Sequence, residues 1–135
     1  MQSLSCVLLV DDDPTTNYLN QLLLKRLGFS SQVMVALNGQ EALDLLLQNC
    51  HRVSNECPAL ILLDVKMPVM DGFAFLEAYD KLPLTQKESI VIVMLTTSLH
   101  PQDVERVERL DIASFLNKPL TEAKLNQVLE SHFSG

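Results

Sequence analysis

The segment that decides the fold is Leu60-Ile-Leu-Leu-Asp64-Val-Lys-Met-Pro-Val-Met-Asp71-Gly72. Four consecutive apolar residues are too few for a helix and are typical of a strand that is buried on both faces. The run leads directly into Asp64, and Pro68 and Gly72 then interrupt regular structure. The sequence therefore predicts that Asp64 lies where a buried strand opens into a loop.

Three other apolar runs are also followed by polar residues. They are Val7–Val10 before Asp11 and Asp12, Ile90–Leu95 before Thr96, and Ser114–Leu116 before Asn117 and Lys118. One Asp after a strand usually only caps a turn, but four polar strand ends together indicate a site. A further run, Gln32–Val35, ends without a reactive residue, which is typical of an edge strand away from that site.

Helical patterns separate the strands, so the chain alternates strand and helix five times. Such alternation predicts a parallel sheet with right-handed crossovers, whose ligands bind outside the carboxyl ends of the strands. In the first helix, after the cap Asp13, the expected buried face consists of Leu19, Leu22, Leu23 and Leu27. The other helices are predicted to begin at Asn38, after Gly72, at His100-Pro101, where the apolar stripe is thin, and at Thr121.

Composition narrows the function classes. A chain of 135 residues with 47% hydrophobic residues predicts one domain, residues 1–135, with a proper core. The net charge of −7 provides no basic surface for nucleic acid, so direct DNA binding is not expected. No apolar run approaches the roughly 18 residues of a membrane span, and no basic region precedes the N-terminal apolar run, so we expect a cytoplasmic protein.

The three cysteines are Cys6, Cys50 and Cys57. An odd number in a chain without an export signal favours reduced thiols over disulfides. Cys50, His51 and Cys57 do not predict a zinc site, because a fourth ligand is missing.

The expected cluster contains three carboxylates, Asp11, Asp12 and Asp64. They would repel one another unless a cation lies among them, and an all-oxygen site with few protein ligands suits magnesium. Lys118 adds a positive charge, and Thr96 can donate its hydroxyl to a phosphoryl oxygen. The predicted ligand is therefore anionic and bound to magnesium, and phosphate is the leading candidate.

In these residues the chain resembles the response regulator receiver domains of two-component signalling, in particular single-domain chemotaxis regulators. The resemblance extends from Val7 to about Val128. The matching features are Asp11-Asp12, Asp64 with Met67-Pro68 and Asp71-Gly72, Thr96, and Lys118-Pro119. It implies a doubly wound, flavodoxin-like (βα)5 fold with strand order 2-1-3-4-5 and a core from about residue 6 to residue 131.

The resemblance also implies a role for each matching residue. Asp64 would be the phosphoacceptor, and Mg²⁺ would be bound directly by Asp12 and Asp64, through water by Asp11, and by the backbone carbonyl of Lys66. Thr96 and Phe115 would form the conformational switch, and Lys118 would bind the phosphoryl group. Pro68, Gly72 and Pro119 would be structural, and the Lys118–Pro119 bond would be cis.

The implied partners are a sensor histidine kinase or a histidine phosphotransfer protein, which supplies the phosphoryl group, and an unknown downstream target protein. The protein would catalyse only its own phosphorylation and dephosphorylation. It would act as a monomer and signal through the fourth helix, fifth strand and fifth helix. Only one helix follows Pro119, so no output domain is expected.

Two alternatives remain. The segment Leu8–Thr15 also resembles the nucleophile motif of haloacid-dehalogenase-type phosphatases, with Asp11 as nucleophile and Asp13 as general acid. Those enzymes carry an acidic pair after the lysine, whereas only Glu122 and Glu130 follow Lys118 here. A degenerate receiver that acts only as a binding module is disfavoured, because the acids, Thr96 and Lys118 are all present.

Overall fold

Five strands and four helices make up the described part of the chain. The computed structural model describes residues 6–28, 32–50, 57–82, 90–96, 105, 109 and 114–133. In chain order the elements are β1 (Val7–Val10), α1 (Pro14–Leu27), β2 (Val33–Ala36), α2 (Gly39–Asn49), β3 (Leu60–Asp64), α3 (Gly72–Asp80), β4 (Val91–Thr96), β5 (Ser114–Asn117) and α4 (Glu122–Phe133).

The strands form one parallel sheet in the order β2-β1-β3-β4-β5. This confirms the predicted fold class, and β2 lies at an edge as predicted. All five residues of β3 are buried, as expected for a central strand that is covered on both faces. The order also places the ends of β1 and β3 side by side, which brings the residues that follow them together.

Helices cover both faces of the sheet. Because successive strand residues point to opposite faces, Leu8 and Ile61 pack with residues of α2 and α3. Val7 and Leu60 pack on the other face with residues of α1 and α4. The sheet is therefore the middle layer of three, and its carboxyl edge stays open.

The predicted caps Asp13, Asn38 and Thr121 are confirmed, and Asp71 is a cap that the sequence analysis did not name. The side chains of Asp13, Asn38 and Asp71 accept hydrogen bonds from backbone N–H groups in the first turns of α1, α2 and α3. The Thr121 hydroxyl accepts from the N–H of Lys124 at 3.2 Å. These caps satisfy donors that a helix leaves unpaired at its start.

The predicted buried face of α1 is wrong for two residues. Leu19 and Leu22 are 56% and 46% exposed. The helix is rotated so that Asn17 and Asn20 are buried together with Leu23 and Leu24. One reason for this rotation is a hydrogen bond, which Asn17 Nδ2 donates to the backbone carbonyl of Asp11 at 2.8 Å.

The prediction of three reduced thiols is also wrong. Cys50 and Cys57 form a disulfide, whereas Cys6 is a buried thiol outside that disulfide. Cys50 caps the C-terminus of α2 and Cys57 precedes β3, and their Cα atoms lie 4.8 Å apart, which is within disulfide range. The cysteine count could not show that the α2-to-β3 connection brings these two residues together.

The predicted fourth helix, which begins at His100-Pro101, lies outside the described residues except for Glu105 and Arg109. Of the helices that the structure describes, none has the length and apolar character needed to cross a membrane.

Candidate functional site

Three carboxylates meet at the carboxyl edge of the sheet. Asp11 and Asp12 follow β1, and Asp64 is the last residue of β3. The neighbouring strands are in register, with Val10 opposite Leu63, so Asp11 and Asp64 come side by side. One oxygen from each of the three carboxylates lies within 4.8 Å of the others. Asp11 and Asp64 are buried, whereas Asp12 is exposed.

Lys118 supplies the positive charge of this cluster. Its Nζ donates to Asp11 Oδ2 at 2.5 Å and lies 3.2 Å from Asp64 Oδ1. The Lys118–Pro119 peptide bond is cis, as the sequence resemblance implied. The Lys118 N–H donates to the carbonyl of Thr96 at 2.7 Å, which fixes the lysine backbone beside the end of β4.

The carboxylates carry more charge than Lys118 neutralises. Burial raises the pKa of Asp64 above its ordinary value, and the charge of Asp11 raises it further, while Lys118 opposes both effects. Burial disfavours the charged form of Lys118, but the hydrogen bond and charge of Asp11, together with Asp64, outweigh it and raise the lysine pKa. The cluster therefore holds a surplus of negative charge that a cation would relieve.

The donor set fits Mg²⁺. Each of the three side chains of the cluster, Asp11, Asp12 and Asp64, offers a carboxylate oxygen, and a small hard cation prefers such oxygens while keeping several waters. Exposed Asp12 leaves one side of the cluster open to solvent. The site is thus suited to a cation and to a ligand that arrives from outside.

Backbone hydrogen bonds orient the two buried carboxylates. The N–H of Val65 donates to Asp64 Oδ1, and the N–H of Asp13 donates to Asp11 Oδ1, both at 2.9 Å. Asn17, which lies in α1, donates a hydrogen bond to the backbone carbonyl of Asp11. Sequence analysis missed Asn17, because α1 carries several other polar residues and its position soon after the acidic pair was the one signal that set it apart.

The two expected switch residues lie on one face of the sheet. Thr96 is buried at the end of β4. Phe115 on β5 pairs with Met94, two residues before Thr96, and side chains two residues apart on a strand point the same way. Phe115 packs against the core that α2 and α3 cover.

Gly72 allows the loop after β3 to fold tightly against the site. Its N–H donates to the Val65 carbonyl at 2.8 Å, and a Cβ at this position would lie 2.5 Å from the backbone oxygen of Asp64. Pro68, the other expected structural residue of this loop, is exposed and accepts a hydrogen bond from the Met70 N–H at 2.7 Å.

Comparison with known proteins decides the family. The sequence profile of the response regulator receiver domain matches residues 7–130. The chain belongs to the response regulator receiver family. It is 32% identical to a probable chemotaxis protein CheY of Rhizobium etli over 129 residues, covering 96% of this chain and 92% of the relative. It is 33% identical to the two-component response regulator ARR22 of Arabidopsis thaliana, covering 96% and 84%.

A solved receiver structure has the same fold. The Vibrio cholerae chemotaxis protein CheY4 is 27% identical and superposes with a TM-score of 0.76, over 98% of this chain and 100% of that one. Receiver domains are signalling phosphoacceptors rather than classical enzymes, and they bind Mg²⁺ at an acidic pocket. They interact with histidine kinases or histidine phosphotransfer proteins.

The geometry of Asp13 opposes the phosphatase alternative. Hydrogen bonds from the Thr16 hydroxyl and the Thr15 N–H lower the pKa of this exposed carboxyl group. A general acid must hold a proton at working pH, whereas Asp13 is held ionised as a helix cap.

Proposed function

We propose that this receiver accepts a phosphoryl group from a phosphohistidine donor onto Asp64. The supporting observation is the convergence of the Asp11, Asp12 and Asp64 carboxylates with the Nζ of Lys118. In this proposal Asp11, Asp12, Asp64 and the backbone carbonyl of Lys66 hold Mg²⁺. The whole chain, residues 1–135, acts as one receiver domain.

The reaction forms one bond from an Asp64 oxygen to phosphorus and breaks the bond from phosphorus to the donor histidine nitrogen. Val65 and Lys118 both engage Oδ1 of Asp64, so we assign the attack to Oδ2. Mg²⁺, when bound, would neutralise negative charge on the phosphoryl oxygens. Lys118 adds a second positive charge, and Thr96 donates its hydroxyl to the phosphoryl group.

The signal arises from Thr96 and Phe115. When the Thr96 hydroxyl moves toward the phosphoryl group, the Phe115 ring takes the vacated space and changes the surface of β5 and α4. Phe115 also lines a pocket of about 200 Å³ between β5 and α4, together with Leu116 and Val128, so a shift of its ring would alter this surface. Hydrogen exchange of the amides in α4 and in residues 100–110 should change on phosphorylation.

The donor docks beside Lys118. A largely apolar groove runs from α1 to the β5–α4 connection, and Leu19, Leu22, Leu95 and Leu120 line it together with Lys118. Leu19 and Leu22 are the leucines that the sequence had placed in the core, and their exposure next to the site supports docking of an apolar helix. The partner is a sensor histidine kinase or a histidine phosphotransfer protein, and the downstream target is a protein.

The test is the intact mass after incubation with acetyl phosphate, with and without Mg²⁺. Wild type should gain one phosphoryl group only with Mg²⁺, and Asp64→Asn should gain none. No gain in wild type would overturn the proposal in favour of a binding module. A covalent phosphoenzyme that survives Asp64→Asn but not Asp11→Asn would establish the phosphatase mechanism instead.

A further inference from the structure

The loop after β3 contains a backbone conformation that its residue disfavours. The Met70 N–H donates to the Pro68 carbonyl at 2.7 Å, which closes a three-residue turn around Val69, and Val69 has φ of 68°. This combination is the rare and strained form of the three-residue turn, and a β-branched residue fits it worst. The Val69 side chain is 83% exposed, so its own packing does not hold it there.

The first residue of α2 holds this turn from outside the loop. The Gly39 N–H donates to the Met70 carbonyl at 2.9 Å. A Cβ at Gly39 would lie 2.8 Å from Met70 Cγ and 2.9 Å from Met70 O. Only glycine allows this approach, so α2 and the turn are matched to each other.

Lys66 lies between two fixed parts of the same loop. On one side Val65 donates to Asp64 and accepts from Gly72. On the other side is the turn that Gly39 holds. The side chains of Lys66 and Pro68 are exposed and Met67 packs partly against the core, so the flanking backbone hydrogen bonds and this one contact set the path of residues 66–68.

We propose that Gly39 is a positioning residue that holds Val69 in its strained turn and so fixes the loop carrying the Lys66 carbonyl before Mg²⁺ binds. The inference rests on the proposed function, because the Lys66 carbonyl is a proposed ligand. Valine disfavours this φ, so the turn persists only because the surrounding structure holds it, and the Gly39 hydrogen bond to Met70 is the contact that reaches it from outside the loop. Glycine at position 69 would fit the same φ without strain.

The experiment titrates Mg²⁺ alone into the phosphoryl-free protein by isothermal titration calorimetry and measures urea denaturation midpoints without Mg²⁺. Val69→Gly should keep Mg²⁺ affinity within about twofold of wild type, because glycine adopts the same φ without strain. Its urea midpoint should not fall, because the strain is removed. Val69→Asn should also bind Mg²⁺ within about twofold of wild type, because Asn tolerates positive φ.

Gly39→Ala removes the support from α2 and should weaken Mg²⁺ binding about fivefold, because its Cβ displaces Met70 and the strained turn is no longer held. The matched control is Gly28→Ala at the C-terminus of α1, where φ is also 68° but nothing lies within 4 Å of the added Cβ. This control should lower the urea midpoint and leave Mg²⁺ affinity unchanged. Wild-type affinity in Gly39→Ala would overturn the positioning role, whereas a wild type that binds no Mg²⁺ would overturn the proposed function itself.

Discussion

Replacing Lys118 by methionine tests the charge balance of the site. Methionine keeps an unbranched apolar chain but removes the Nζ that contacts Asp11 at 2.5 Å and Asp64 at 3.2 Å. Two buried carboxylates would then face each other without their cation. We expect the variant to be less stable than wild type when Mg²⁺ is absent.

The magnitude follows from burial. The Lys118 side chain is 16% exposed, and the side chains of Asp11 and Asp64 are 7% and 10% exposed. Removing one partner of a buried ion pair typically costs about 3–5 kcal/mol. The remaining solvent access places this site at the lower end, so the free energy of unfolding should fall by about 3 kcal/mol.

Urea denaturation at neutral pH, with and without saturating Mg²⁺, measures this loss. The variant's deficit should shrink with Mg²⁺, because the cation replaces the missing positive charge and stabilises the folded state by binding to it. The matched control is Lys124→Met, which removes a half-buried lysine of α4 that donates to the backbone carbonyls of Asn117 and Pro119 but contacts no carboxylate of the cluster in the described structure. Its effect should stay below about 1 kcal/mol.

The loss of unfolding free energy in Lys118→Met should also depend on pH. Because the pKa of Asp64 is raised in the folded state, its ionisation destabilises the fold above that pKa, and the penalty disappears as the pH falls through it. Lys118 lowers this pKa, so its removal raises the pKa of Asp64 further and enlarges the penalty at neutral pH, and acidification through the raised pKa should narrow the gap to wild type. The raised pKa of Lys118 keeps its own stabilising contribution fully present at neutral pH. A loss below about 1 kcal/mol, or an equal loss in Lys124→Met, would refute this reasoning.

Two further perturbations test the fold around the site. The Cys50–Cys57 disulfide closes a loop with a sequence separation of 7 residues, and its reduction should lower the free energy of unfolding by about 2.4 kcal/mol. Urea midpoints that are equal with and without dithiothreitol would contradict this expectation. As the control, the variant with serine at both positions should not respond to dithiothreitol. Gly72→Ala should lower stability by about 2–3 kcal/mol, because the added Cβ must displace the Asp64 backbone oxygen. Thermal denaturation measures this effect, and an unchanged melting temperature would show that α3 moves away without cost.

The sequence was sufficient to predict the sheet and most of the site. Continuous apolar runs identify central parallel strands, and the residue after each run is placed at the carboxyl edge by topology alone. For this reason Asp11, Asp64, Thr96 and Lys118 could be placed at the same edge before any contact was known. The resemblance added the strand order, which the structure confirms.

Helix rotation was not predictable from periodicity. A stripe of Leu19, Leu22 and Leu23 and a stripe through Asn17, Asn20 and Leu24 both satisfy a period near 3.6, and hydrophobicity favours the first. The structure uses the second, because the first turns of α1 stand beside the site and Asn17 bonds to Asp11 there. The disulfide was missed for a similar reason, since the number of cysteines carries no information about which residues a crossover brings together.

The charges of the cluster explain why the cation and the phosphoryl group should depend on each other. Asp11, Asp12 and Asp64 supply three negative charges against one positive charge of Lys118, so the site alone carries about −2 and repels an incoming phosphate. A divalent cation brings this sum to about zero and permits the approach. In the proposed reaction the aspartyl phosphate would again be anionic, and Lys118 is the charge on this chain already within contact distance of Asp64. We therefore expect this lysine to limit repulsion before transfer and to bind the product after it. The expected cation requirement follows from the two negative charges that Lys118 leaves unbalanced.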